Sequence, residues 1–433
     1  MALQFASGAI QWLAADVATT VYTVSGLAFA PKAIRFYWMG LGGAVDAASA
    51  TVHSRRGVGF AVSANFRRSV STLDQDAAAT QVCECYQSTA AIASTTSGAG
   101  AVDGLLDINS FTADGFTVIV DDQVPVDLAI FWEAWGGDGI QGATILDILE
   151  PASTGTVSYV TGFQPAVVMF AGIQATTADT VLADSSGLSV GFATSGRAAE
   201  NVVAFGQSDD GSATSDTDRY CQTGECVSMM ILANAATMNC RAQLTQMNPN
   251  GFTLNWIARA TTGRLTIALA LAGGQFQAGA YTIAGNSGSA TATVRGLPFT
   301  PIGLSFLGVS VAQPAAGDSA TEDKLALGTA VATTSRRAQG GWSENALATA
   351  SEINLVLEYD SCLAFPDNAG ALGASYDLDA LFPDGFQVIV DTAGGVAAEW
   401  QGYLACGGKA PVTFNNYQFL QVGDGMSVSE KIR

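Results

Sequence analysis

Few residues in this chain have the types and spacing to do chemistry. Gly187-Leu188-Ser189-Val190-Gly191 has the G-x-S-x-G spacing that, in hydrolases, sets a serine on a sharp strand-to-helix turn near a histidine. The chain has one histidine, His53, and it precedes the serine instead of following it as that motif requires. No long helical pattern follows Gly191, and a serine without a base makes no nucleophile. No catalytic residue is expected, and the chain reads as non-enzymatic.

Three other sets of residues carry chemical potential. Seven cysteines cannot all pair within one chain. Cys83 and Cys85 share one face at i, i+2, and Cys221, Cys226 and Cys240 fall close together. Zinc takes four ligands, commonly in Cys-x-x-Cys pairs, and that spacing is absent. Buried free thiols are the expectation, with a Cys221–Cys226 or Cys221–Cys240 disulfide as the alternative. The acidic run Asp209-Asp210-Gly211-Ser212-Ala213-Thr214-Ser215-Asp216-Thr217-Asp218 offers oxygen ligands for calcium without the EF-hand order, so a solvated loop is expected. Trp132, Trp135, Trp256, Trp342 and Trp400 read mostly as packing, with a sugar platform as the alternative. No metal and no cofactor is expected.

The elements that position these residues belong to a repeat. Asp114-Gly115-Phe116-Thr117-Val118-Ile119-Val120-Asp121 returns as Asn250-Gly251-Phe252-Thr253-Leu254-Asn255-Trp256 and as Asp384-Gly385-Phe386-Gln387-Val388-Ile389-Val390-Asp391. Each copy opens on an Asp-Gly or Asn-Gly pair suited to positive φ in a tight turn. Each then alternates, with Phe116, Val118 and Val120 matching Phe252, Leu254 and Trp256, and Phe386, Val388 and Val390. That is the period of a half-buried strand.

Two more anchors keep the register. Val24-Ser25-Gly26-Leu27-Ala28-Phe29-Ala30-Pro31 matches Val294-Arg295-Gly296-Leu297-Pro298-Phe299-Thr300-Pro301, with Val160-Thr161-Gly162-Phe163-Gln164-Pro165 as a shorter middle copy. Gly136-Gly137, Gly273-Gly274 and Gly407-Gly408 each follow a large apolar residue, Trp132, Leu269 or Tyr403. In the middle of the copies, Arg67-Arg68, Arg197 and Arg336-Arg337 follow Gly59, Gly191 and Gly328 and read as architectural. The sequence therefore predicts an all-β fold of three tandem antiparallel β-sandwich domains, 1–138, 139–274 and 275–409, with a C-terminal arm, 410–433. Short linkers at Gly139–Gly142 and Gln275–Gly279 imply close packing. Ala90–Gly104 and Gly206–Asp218 read as exposed loops.

A chain of 433 residues can bury ample core without staples, and 48 glycines with 11 prolines suit a turn-rich β protein. A net charge of −20 argues against a nucleic-acid partner, because phosphate binding needs clustered Lys and Arg. The start, Met1-Ala2-Leu3-Gln4-Phe5-Ala6, lacks the pattern of a secretory signal. The longest apolar runs, Leu128–Trp135 and Leu265–Ala272, fall short of the roughly 18 residues that span a bilayer, so no membrane insertion is expected. In the arm, Val412, Phe414, Tyr417, Phe419 and Leu420 form an apolar, alternating run suited to addition at an open sheet edge. They are the expected assembly residues.

Gly115-Phe116-Thr117, Gly251-Phe252-Thr253 and Trp132 resemble the H-type lectin-like domains, small six-stranded sandwiches that commonly trimerise; Gln387 departs from the pattern in the third copy. The chain as a whole, acidic and rich in Ala, Gly and Thr, is similar in character to bacteriophage virion proteins. That resemblance implies a capsid decoration, tail or fibre component, made in the host cytoplasm and located in the virion. Its partners would be other virion proteins or copies of itself. The alternative is an adhesin that binds a host-surface glycan.

Overall fold

The computed structural model describes residues 2–95, 100–183, 185–230, 238–312, 322–348 and 350–407. Among the described residues the chain is almost wholly β, with one 3-10 turn at Ala198–Glu200, and every ladder is antiparallel. The predicted arm residues Val412, Phe414, Tyr417, Phe419 and Leu420 lie outside the described residues.

The same two-layer topology occurs three times. In the first copy a six-stranded sheet runs Gln4–Trp12, Leu128–Gly136, Pro31–Trp38, Ser54–Ser63, Phe66–Asp74, Cys83–Ser88, backed by Val21–Val24, Gly115–Asp122, Val102–Thr112, Ile92–Thr95. The second repeats this order as Ile140–Leu149, Leu265–Gly273, Val167–Ile173, Leu188–Ala193, Asn201–Ser208, Thr217–Thr223, backed by Gly155–Val160, Gly251–Ala258, Met238–Asn248, Val227–Met230. The third does so as Gln275–Ile283, Glu399–Gly407, Pro301–Ala312, Asp323–Ala332, Ser335–Ser343, Ile353–Glu358, backed by Thr291–Arg295, Gly385–Thr392, Leu372–Phe382, Leu363–Pro366. A short strand from the first copy, Ala47–Ser49, extends the third copy's larger sheet by pairing with Ile353–Glu358.

The larger sheets are buried on both faces, which is why their strands read as continuous apolar runs. Along Leu128–Gly136 every residue is buried. Leu128, Ile130, Trp132 and Ala134 enter the first sandwich, while Ala129, Phe131 and Trp135 enter a core shared by all three copies. Tyr37, Met169, Leu269, Leu307 and Leu404 meet in that shared core. The three larger sheets therefore face one another, and the four-stranded sheets lie outside. At about 1.5–3 kcal/mol for each large apolar side chain buried, the shared core is a principal source of cohesion between copies.

Phe116, Phe252 and Phe386 hold the same place in each copy. All three are fully buried, and each meets the larger sheet's Phe36, Phe170 or Phe306 edge-on, with centroids 5.9, 6.0 and 5.9 Å apart. The Asp-Gly pair before them acts differently from the sequence reading. Neither Gly115 nor Gly385 has a positive φ. Glycine stands at 115, 251 and 385 because a Cβ there would collide with the carbonyl oxygen of Val24, Tyr159 or Val294.

Four other expectations are corrected. Gly139–Gly142 and Gln275–Gly279 are not linkers: strands begin at Ile140 and Gln275, directly after strands that end at Gly136 and Gly273. The stretch Ala90–Gly104 hides a buried strand, Ile92–Thr95, that supplies the edge of the outer sheet. Leu269 does not match Trp132 and Tyr403. Those two pair with Phe36 and Phe306, whereas Leu269 pairs with Met169 and faces the shared core, one residue out of step. Arg67 and Arg336 do match, pairing with Asp107 and Asp377, but Arg197 lies in an exposed turn and Asn201 occupies their ladder position.

Candidate functional site: the junction of the three copies

At one end of the shared core, the connections after strands Phe66–Asp74, Asn201–Ser208 and Ser335–Ser343 meet. Each turns through a left-handed residue three positions beyond its strand: Ala77 (φ 56°), Gly211 (φ 74°) and Ala346 (φ 62°). Ala77 N–H donates to Ser351 O at 2.9 Å, and Ser351 N–H returns a bond to Ala78 O at 2.9 Å. Gly211 N–H donates to Gln81 O at 2.8 Å, answered by Gln81 N–H to Ser212 O at 3.0 Å. Ala346 N–H donates to Ser215 O at 2.7 Å, answered by Ser215 N–H to Leu347 O at 2.9 Å. First to third, second to first, third to second: the six backbone bonds close a ring.

The acidic loop is therefore solvated only in part, with Gly211, Ala213 and Thr214 exposed. Asp209, Asp216 and Asp218 are buried, and Asp210 Oδ1 accepts the Cys83 N–H at 2.8 Å. A run of small polar residues reads as exposed, yet here neighbouring copies bond its backbone and bury its two ends, Asp209 and Ser215–Asp218.

Directly beneath the ring the threefold likeness ends. Ser54, Ser186 and Asp323 hold one position, Asp74, Ser208 and Ser343 a second, and Arg56, Leu188 and Leu325 a third. Arg56 Nη1 lies 2.5 Å from Asp323 Oδ2, and its Nη2 donates to Ser186 Oγ at 3.2 Å. Asp74 Oδ2 accepts from Ser208 Oγ at 2.5 Å and from Ser343 Oγ at 2.7 Å. All three copies are thus tied through side chains only one copy supplies. Burial pushes Asp323 up to about 6 against the pull of Arg56, and burial likewise raises Asp74.

A second charged pair sits deeper. Arg35 Nη2 meets Glu133 Oε1 at 3.1 Å, with the guanidinium 5.3 Å from the Tyr37 ring centre and 5.2 Å from that of Phe192 in the second copy. The matching residues are Met169 and Ser305 for Arg35, and Leu269 and Leu404 for Glu133. Sequence reading missed both pairs. Counting three residues back from the quoted Gly59, Gly191 and Gly328 exposes Arg56 against two leucines.

The other candidates fall apart or are absorbed into packing. Ser189 Oγ accepts the Ser228 N–H at 3.2 Å inside the second sandwich, and its ladder counterparts are Gly57 and Ala326. His53 Nδ1 accepts the Asp76 N–H at 3.1 Å, and burial with nearby Arg55 holds the imidazole below its usual range. All seven cysteines are buried free thiols, and burial raises each thiol that shifts, Cys221 to about 12. All seven tryptophans are buried. Trp342 lines a cleft of about 270 Å³ with Glu322, Asp367 and Asn368, but Lys324 Nζ lies 5.4 Å from its ring centre and the ring is 3% exposed. No tryptophan therefore presents an open face for a sugar to stack on. No helix among the described residues is long and apolar enough to cross a membrane. Carboxylates able to share a cation converge at Asp46, Glu358 and Asp360.

Comparison of the chain with protein-family models and with curated proteins finds no match.

Proposed function

We propose that the chain is a non-enzymatic structural component of a bacteriophage virion, a decoration, tail or fibre protein that assembles through protein–protein contacts. The observation that carries this reading is the ring of six backbone bonds beneath which the three larger sheets share one core. It builds in one chain what a trimer builds from three, a form suited to a position of threefold or pseudo-threefold symmetry in a particle. The arm after Gly408, with Val412, Phe414, Tyr417, Phe419 and Leu420, supplies the contact to neighbouring virion proteins or to further copies.

The test is location and incorporation. Antibody raised against the purified chain labels intact particles at one fixed structural position, and truncation after Gly408 leaves the fold intact but weakens incorporation. Particles that lack the chain overturn the proposal. Specific retention on a glycan array, by contrast, moves the reading to an adhesin. Unchanged incorporation of the truncated chain removes the arm from the account.

A further inference from the structure

The first strand of each copy lies against the larger sheet of the copy before it in cyclic order, so one position on it occurs three times. Trp132, Ala268 and Tyr403 are equivalent, because they pair with Phe36, Phe170 and Phe306. Three residues further along those closing strands stand Trp135, Leu271 and Cys406, whose partners on the first strands are Phe5, Ala143 and Phe276. All three partners are half-buried at the rim of the shared core. Two are phenylalanines and the third is an alanine.

Where the phenylalanines stand, the rim is filled. The Phe5 ring lies so close to Gly303 of the third copy that a Cβ there would meet its Cδ1 at 2.0 Å, and it packs on Trp135 with centroids 5.5 Å apart. The Phe276 ring closes on Gly274, 2.9 Å from where a Cβ would stand. Where Ala143 stands, between the first and second copies, there is a cleft of about 350 Å³. Its apolar walls are Pro31, Val62, Ala64 and Phe111 of the first copy and Ala143 of the second. Lys32 borders it and donates from Nζ to Ile140 O at 2.6 Å, across the same joint.

Where the third copy ends decides what reaches this cleft. After Gly136 the chain crosses to the first strand of the second copy, which begins beside Gly273, and after Gly273 it crosses to the first strand of the third, which begins beside Gly407. The same rotation carries chain leaving Gly407 to Gly136, whose other ladder partner, Pro31, is a wall of the cleft. No first-strand place is open there, because Gln4 already pairs with Gly136. Residues 408–433 bring Phe414 to this end of the molecule. It stands seven residues beyond Gly407, a reach of about 23–25 Å when extended.

We infer that the cleft between the first and second copies is the docking site of this chain's own C-terminal arm, with the Phe414 ring entering beside Ala143 as Phe5 and Phe276 fill the rim at the other two joints. A large apolar ring gains by leaving water for walls of Pro, Val and Phe. A short tether holds its own arm at a local concentration on the order of millimolar, well above that of arms on other chains in dilute solution. Docking anchors the arm close to where it leaves the third copy and frees Tyr417, Phe419 and Leu420 for the outward contact proposed above. It needs no virion, so the isolated chain shows it and the particle reading stands or falls separately.

Amide hydrogen exchange on the full chain reads the docking directly. Amides of residues 412–416 are expected to exchange at least ten-fold more slowly in the wild type than in Phe414→Ala, which removes the ring, or in Ala143→Phe, which supplies the missing ring from the second copy's own strand. If Ala143→Phe fails to fold, Phe414→Ala decides alone. In a chain carrying Ser63→Cys and Thr413→Cys, mild oxidation is expected to join the two within one chain, seen as a monomer of altered mobility on a non-reducing gel. Free-chain exchange at 412–416 in the wild type, or equal protection in Phe414→Ala, overturns the proposal. A disulfide that forms only between chains overturns it too, and gives the cleft to the arm of a second copy.

Discussion

The ring of loops and the layer beneath it are adjacent, yet they obey opposite rules. In the ring the three copies are alike in backbone and indifferent to side chain: Ala77, Gly211 and Ala346 make the same bond. One step inward the backbone ladders still match, but Arg56 faces two leucines' positions and Asp323 faces two serines'. Backbone bonds can close a threefold ring for any sequence that tolerates the turn, so closure alone would allow the copies to dock in any cyclic order. Buried charges remove that freedom, since Arg56 finds a carboxylate only when the third copy stands where it does. This is the role best attested for buried ion pairs, which add little net stability but select one arrangement.

The largest effect that tests this contrast is expected from Arg56→Met. It leaves Asp323 buried without its cation, a loss of about 3–5 kcal/mol in denaturant unfolding. Making the layer threefold alike, with Arg56→Leu, Asp74→Ser and Asp323→Ser together, should return stability to within about 1–2 kcal/mol of the wild type, because no buried charge is then stranded. The symmetrised chain should form misordered or exchanged species on refolding. If it refolds as cleanly as the wild type, the charges do not specify copy order.

A smaller effect is expected with pH. Asp323 is pushed up to about 6 and Glu399, buried beside the Tyr376 hydroxyl, up to about 7. An acid raised in the folded state keeps its proton while the unfolded chain has lost it, so stability is greatest below the unfolded pKa near 4 and falls as pH rises toward the folded value. Between pH 4 and 7 the loss should be about 2–3 kcal/mol for Asp323 alone. Measured by urea unfolding, the slope should shrink in the symmetrised variant. A slope unchanged there would mean that other groups carry it.

The contrast also marks what the sequence makes legible. Phe116, Phe252 and Phe386 stand out because strand periodicity and burial act on side-chain type, and the threefold repeat is legible from them. The ring is invisible for the opposite reason: it is made of main-chain N–H and C=O groups, which every residue has, set in a run of Ser, Thr, Asp and Gly that mimics solvent exposure. Ile92–Thr95 hides likewise within Ala90–Gly104, because two of its four residues are Ser94 and Thr95, buried against the partner strand rather than water. Arg56 was legible in principle, through misfit among copies rather than through any motif.

The smallest effect tests the ring directly, at its left-handed position, which Ala77, Gly211 and Ala346 share. A Cβ on Gly211 would meet nothing within 4 Å, so Gly211→Ala costs only the left-handed backbone strain that Ala77 and Ala346 already bear. That strain is about 1 kcal/mol. The reverse changes, Ala77→Gly and Ala346→Gly, relieve the strain but give the unfolded chain more freedom, a countervailing term of about 0.4–1 kcal/mol. They should move stability by less than about 0.5 kcal/mol. Because the bonds are threefold while the residues are not, amide hydrogen exchange at 77, 211 and 346 should be protected to a similar degree in the wild type and remain so in all three variants. Fast exchange at any one of them would show a ring open at that joint, and the backbone could then no longer be what closes the three copies.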